Sequence, residues 1–226
     1  MKLVLTCEHG GNFIPKEYEA LFKDHNDVLN SHRGFDLGAL DVFNNLKSLA
    51  DYSKISETSR LLIELNRSKY HKSLFSEFSR PLSHTQKSLL IEGYYSGYRN
   101  DVEMKIKSFI NSGEKVLHVS VHSFTPILNH IERYCDIGLL YDSSNALEKK
   151  FCKHLKSGII KLDPKLKVRY NYPYLGKSDG FTTYLRKRFP ENYLGIELEI
   201  NQKHALDNKM PKTLKQTIYQ AFKQTK

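Results

Sequence analysis

Residues 116–126, Val-Leu-His-Val-Ser-Val-His-Ser-Phe-Thr-Pro, read as a β-strand that ends abruptly in polar chemistry. β-Branched residues recur from Val116 to Val121, and Pro126 closes the extended run. A period of two puts His118, Ser120 and His122 on one face. At about 3.3 Å per residue the two imidazoles stand about 13 Å apart, too far to share one ion. His122, at the carboxyl end, is the one placed for a site, and His118 is expected to be packed or hydrogen-bonded within the sheet.

The same pattern recurs along the chain. Leu3-Val4-Leu5 runs into Cys7-Glu8-His9-Gly10-Gly11-Asn12, and Leu61 to Leu65 runs into Asn66-Arg67-Ser68. Residues 137–141 and 194–200 also read as strands, by length, branching and partial alternation. Between the strands, residues 38–50, 98–111, 145–156, 181–188 and 211–223 repeat apolar side chains near the helical period. This alternation predicts a single α/β domain over residues 1–226. It should hold a central mixed, mostly parallel sheet with helices on both faces, and binding residues at the carboxyl ends of the strands. Residues 66–95, rich in Ser, Tyr and His, are expected to make a long excursion over the sheet.

Composition excludes several classes. Hydrophobic residues make up 39% and charged ones 27% of 226 residues, and no apolar run approaches the ~18 needed to cross a bilayer, so no membrane partner is expected. Mean hydropathy is −0.53. Cys7, Cys135 and Cys152 are widely spaced and form no Cys-x-x-Cys, which leaves neither a disulfide framework nor a thiolate zinc knuckle. A reducing, cytoplasmic location is the expectation. The net charge of +10 arises entirely after residue 145, where 18 basic residues face 7 acidic ones. That segment reads as a solvated face that draws in small anions; the alternative is an anion- or nucleic-acid-binding module on the basic C-terminal third. No zinc-finger spacing or RNP-like aromatic strand supports the nucleic-acid version. Oligomeric state is not legible in these patterns.

The strand ends carry the candidate chemistry. His9 and His122 would lie on one rim, and two His plus a carboxylate with an open fourth position is the usual catalytic zinc arrangement. On the last strand Glu197, Glu199 and Asn201 face one way, while Ile196, Leu198 and Ile200 face the other. Two carboxylates on one face are either a half-solvated sheet surface or a general base beside an activated water. Cys7, two residues before His9, offers a rival cysteine nucleophile, but side-by-side residues on a strand lack an orienting third group.

With these residues assembled, the chain resembles the N-formylglutamate amidohydrolase family over nearly its whole length. The matching motifs, in order, are Cys7 to Asn12 with Ile14-Pro15, His32 with Asp36-Leu-Gly-Ala39, Leu65 to Ser68, and Tyr98-Arg99. They continue with His122 to Pro126, Arg133 with residues 136–141, residues 171–174 with Lys177 and Asp179-Gly180, and residues 194–202. The resemblance implies a metal-dependent hydrolase that cleaves the N-formyl or N-acyl amide of an acidic amino acid, on a fold similar to zinc exopeptidases and aspartoacylases. It implies zinc, or another divalent metal, on His9 and His122. It further implies Asn66 and Arg67 as the grip on a substrate carboxylate and Glu197 as general base. The family of zinc carboxypeptidases uses His-x-x-Glu, but Asn12 stands three residues after His9, so the third ligand must come from elsewhere: Asp36 first, Glu8 second. Arg133 or Arg99 is the expected cation for the oxyanion. A dicarboxylate substrate needs several cations, and Arg67, Arg133, Arg169 and Lys177 all lie in matched motifs. Ser123 and Glu199 are further candidates. Glu197 and Glu199 would be about 6.6 Å apart, so one is the base and the other supports it.

Overall fold

The computed structural model describes residues 1–225. Val116–Phe124 forms strand β3, buried throughout. In chain order the other elements are β1 (Lys2–Cys7), α1 (Asn26–Leu29), α2 (Ala39–Leu46), β2 (Tyr52–Ile55), α3 (His84–Leu90), α4 (Gly97–Asn111) and, after β3, β4 (Ile127–Leu128) and β5 (Ile131–Glu132). They continue as β6 (Ile137–Leu140), α5 (Ala146–Leu162), β7 (Val168–Tyr170), α6 (Phe181–Arg188), β8 (Tyr193–Asn201) and α7 (Lys212–Thr225). Six strands make one sheet in the order β2-β1-β3-β8-β6-β7. Its pairings are parallel except for β8 with β6, giving the expected mixed, mostly parallel sheet. β4 and β5 form a separate antiparallel hairpin.

Side-chain alternation divides the two faces. Leu117, Val119 and Val121 of β3 join Leu3, Leu5, Ile196, Leu198 and Ile200 in a core covered by α2, α5 and α7, with Phe43, Leu155 and Phe222 filling it. On the other face Val102 and Ile106 of α4 and Phe181 and Leu185 of α6 pack with Val4, Val116 and Tyr193. That second face also carries buried polar side chains toward the carboxyl ends of the strands: Thr6, Glu8, His118, Ser120, His122 and Glu199. Buried polar groups need partners. His118 has them, with Nε2 2.8 Å from Thr6 Oγ1 and Nδ1 2.7 Å from Tyr193 Oη. Burial pushes its pKa down to about 4, so the ring is neutral.

Two expectations need correction. Residues 61–63 are buried but lie in turns, with Leu62 N donating to Ser59 O at 2.9 Å; β2 takes the place beside β1 instead. Its sequence, Tyr-Ser-Lys-Ile, is half-buried and carries little apolar signal. The excursion after residue 66 is irregular only to residue 82. Ser83 then caps α3 through a reciprocal bond with Gln86, and a wider helical turn at Ile91–Ser96 leads into α4. No helix among the described residues is long and apolar enough to cross a membrane.

Candidate active site

A cavity of about 200 Å³ opens at the carboxyl ends of β1, β3 and β8. Its walls hold His9, Asp36, Arg60, Asn66, Arg67, His122 and Ser123, with Glu197 and Glu199 from β8 and Tyr174, Leu175, Ser178 and Asp179 from the loop before α6. A larger depression of about 580 Å³ near Phe22 and Asn30 carries no convergent charged cluster. Chemistry therefore selects the smaller cavity. No lysine lines it, so the basic last third contributes its excess charge to other surfaces.

Local chain geometry brings the first residues together. Gly11 lets the chain after His9 pass against the segment beyond β2: a Cβ there would lie 2.8 Å from Glu57 O. Asp36 N donates to His9 O at 3.0 Å, which places the Asp36 side chain beside that imidazole. Ser123 secures the same loop, its Oγ donating to Leu37 O at 2.7 Å and its N to Asp36 Oδ2 at 3.3 Å.

His9, Asp36 and His122 are all buried, and their ligand-capable atoms lie within 4.8 Å of one another. Asp36 Oδ2 is 3.3 Å from His9 Nδ1 and 2.9 Å from His122 Nδ1. A tetrahedral ion with bonds of about 2.0–2.2 Å sets its ligand atoms about 3.3 Å apart, close to these spacings. The opposite nitrogens point at carboxylates. His9 Nε2 meets Glu64 Oε1, and His122 Nε2 lies 2.8 Å from Ser120 Oγ and 3.2 Å from Glu8 Oε2, with Ser120 donating to Glu8 at 2.5 Å. An outer carboxylate on each imidazole fixes the tautomer and frees Nδ1 for a ligand bond. The donor set therefore suits a divalent ion such as zinc.

The electrostatics agree. Burial opposes charge on His122, yet hydrogen bonds to Asp36 and Glu8 hold its pKa well above the usual value. Glu8, equally buried, is brought down to about 2 by the hydrogen bond and charge of His122. Asp36 is held well below its usual value despite burial, chiefly by the charge of His9 and its bond to His122. The proton on this cluster is the one an entering cation would displace.

Glu199 differs from its neighbours. It sits in register with His122 across β3 and β8, and its Oε2 is buried with no partner among the described residues. Burial raises its pKa to about 8, with the charges of Asp36 and Glu197 adding to the rise. Glu197, in register with Ser120, is half-buried and accepts from Thr182 Oγ1 at 2.9 Å. Arg60 binds Glu64 through Nε and Nη2, at 2.9 and 2.6 Å, and Asp36 through Nη1 at 3.1 Å.

Of the residues singled out in sequence, eight share the cavity wall: His9, Asp36, Asn66, Arg67, His122, Ser123, Glu197 and Glu199. The others stand elsewhere. Glu8 lies on the Nε2 side of His122 and so buttresses that ring. Arg99 is packed behind the wall, stacked on Tyr95, Phe181 and Tyr184 and donating to Leu65 O and Arg67 O at 3.0 Å. Arg169 is exposed and stacks on Tyr172, and exposed Lys177 is outside the cavity as well. Arg133 stands behind Tyr174. Asn66 lines the cavity but spends Oδ1 on Phe181 N, the first amide of α6, at 2.7 Å. Arg60 and Glu64 escaped the sequence reading, and Tyr174, inside the matched motif at 171–174, carried no assigned role there. The signal for the first two was two opposite charges four residues apart, bracketing the apolar 61–63, which is unusual in a buried strand.

A buried His–Asp–His cluster with outer carboxylates lies at the strand ends of this α/β sheet, and it is comparison with known families that places the chain among the hydrolases that act on amides. The chain belongs to the N-formylglutamate amidohydrolase family, whose model matches residues 1–206. Solved structures share its fold. A gene product of Agrobacterium tumefaciens superposes with a TM-score of 0.80 over 99% of this chain and 91% of its own, at 23% identity. An N-formylglutamate amidohydrolase from Ralstonia eutropha does so with a TM-score of 0.67 over 97% and 90%, at 15% identity. No curated protein matches the chain.

Proposed function

We propose that the protein hydrolyses the N-formyl, or a small N-acyl, amide of an acidic amino acid, N-formylglutamate being the reference substrate, with a divalent cation held by His9, Asp36 and His122. The observation that carries this reading is the paired arrangement of the two imidazoles, each with Nδ1 toward Asp36 and Nε2 toward its own carboxylate. When bound, such a cation supplies a Lewis acid that acidifies water and polarises a carbonyl.

The remaining work falls to the side chains. Glu199, with Oε2 free beside His122, takes a proton from the attacking water and delivers it to the leaving nitrogen as the C–N bond breaks. This exchanges the roles expected of Glu197 and Glu199, because Glu197 is already held by Thr182. Arg60 is the guanidinium on the cavity wall nearest Asp36, and its charge favours the oxyanion that forms on the acyl oxygen. Arg67 takes the substrate α-carboxylate. Its Nη1 donates to Asn66 O and Asp179 O at 3.0 and 2.8 Å, which fixes the guanidinium while other donors remain for the ligand.

Protein supplied with zinc and N-formylglutamate should release formate and glutamate in equal amounts. Chelation should stop release and zinc should restore it. No release from any member of a panel of N-formyl and N-acetyl amino acids would reject the reading.

A further inference from the structure

Arg133 is a cation without an acid. The residue is 8% exposed, and among the described residues no carboxylate pairs with it. Its Nη1 instead donates to two neutral acceptors, Tyr174 Oη at 3.1 Å and Thr125 O at 3.4 Å. The guanidinium lies 5.1 Å from the Tyr174 ring and 5.9 Å from that of Phe124. Its backbone is held at both ends, N donating to Pro126 O at 2.8 Å and O accepting from Asn201 Nδ2 at 3.1 Å. Burying a guanidinium without an anion is costly, so a residue fixed in this way is poised for an anion that arrives from outside.

Tyr174 connects that charge to the cavity. It lines the wall that Arg133 does not reach, and its hydroxyl, occupied as an acceptor by Arg133, keeps its own proton without an acceptor among the described residues. A phenol that accepts from a guanidinium is polarised into a stronger donor. Arg67, a guanidinium open to the cavity, already has a role with the α-carboxylate.

We propose that Tyr174 and Arg133 together form the subsite for the side-chain carboxylate of the substrate, Tyr174 Oη donating the direct hydrogen bond and Arg133 supplying the charge behind it. This deepens the function proposed above and rests on it. Tyr174 is a specificity residue, and Arg133 is a positioning residue that acts through it.

The test compares kcat/KM for N-formylglutamate with that for N-formylnorleucine, nearly the same shape without the charge. In the zinc-supplied wild-type protein the glutamate derivative should be preferred by tenfold or more. Tyr174→Phe keeps the ring and loses the donor, and the preference should shrink about tenfold; Arg133→Met should shrink it similarly, and Arg133→Lys should retain part of it. Zinc content should not change in any variant. A preference unaltered in Tyr174→Phe, or an equal loss on both substrates, would overturn the subsite. So would a wild-type protein that turns over both substrates without preference, a result that leaves the amidohydrolase reading standing. A wild-type protein inactive on both overturns that reading and this one with it.

Discussion

Glu8 precedes His9 in sequence but serves the other histidine: Glu8 Oε2 lies 3.2 Å from His122 Nε2, on the far side of that ring from Asp36. Glu8→Gln removes the negative end of the Glu8–Ser120–His122 chain while keeping the shape. Affinity for zinc should fall by about 10–100-fold, and Glu64→Gln should do the same through His9. Competition against a chelator of known affinity measures both. Unchanged affinity in the two variants would mean that the outer carboxylates do not tune the cluster.

Glu199 and Glu197 are separable by turnover and by stability. Glu199→Gln should lower turnover by about 10²–10⁴-fold with zinc still bound, and Glu197→Gln should be milder. The sign of the stability effect follows from the raised pKa of Glu199. Without metal, the folded protein keeps the Glu199 proton up to about pH 8, while the unfolded chain gives it up near its ordinary value of 4.5. Stability from this group is present below about pH 4.5 and is lost as pH rises toward 8. Metal-free Glu199→Gln should therefore melt higher than wild type at pH 8. Thermal melts and single-substrate kinetics decide; a dead Glu197→Gln beside an active Glu199→Gln would return the base to Glu197.

The parts legible in sequence were those where one strand carries its own pattern. β3 and β8 declare themselves through alternation, and with them His122, Glu197 and Glu199. Phe181–Arg188 reads as a helix from its period alone. What stayed hidden depends on contacts between distant segments. Nothing local says that Arg60 and Glu64 flank buried turns instead of a strand, or that Glu8 turns toward His122. Arg99 and Arg133 are matched motif residues whose side chains pack behind the wall, and orientation of that kind is decided by aromatic neighbours from α6 and from the Tyr174 loop. Charge and spacing cannot tell a guanidinium that meets substrate from one that holds the residue that does.

Arg67 and Arg99 should separate cleanly in kinetics. Arg67→Lys replaces a fork by a point charge and should raise KM about tenfold or more for N-formylglutamate. Arg99 acts one step back, since both Arg99 Nη1 and Tyr95 Oη donate to Arg67 O, at 3.0 and 2.8 Å. Arg99→Met should raise KM with a smaller change in kcat, and it should lower the melting temperature where Arg67→Lys does not. Equal melting temperatures would show that Arg99 does not brace the loop.

His118 should govern part of the acid stability. Its folded pKa of about 4 lies below the 6.5 of an unperturbed ring because burial disfavours the charged form. The unfolded chain takes up a proton that the folded protein refuses, so stability is lost as pH falls from about 6.5 to 4, by up to about 3 kcal/mol. In His118→Asn the melting temperature should depend less steeply on pH across that window. An acid limb identical to that of wild type would place the titration elsewhere.

Metal content measured alongside turnover, in wild type and in His9→Ala, Asp36→Ala, His122→Ala and His118→Asn, tests the three-residue metal site most directly. Wild type and His118→Asn should each carry one zinc per chain after loading and dialysis, and both should release formate from N-formylglutamate. The three ligand variants should carry almost none and release almost none. Full zinc content in the ligand variants, or undiminished formate release from metal-stripped wild type, would contradict a hydrolase centred on His9, Asp36 and His122.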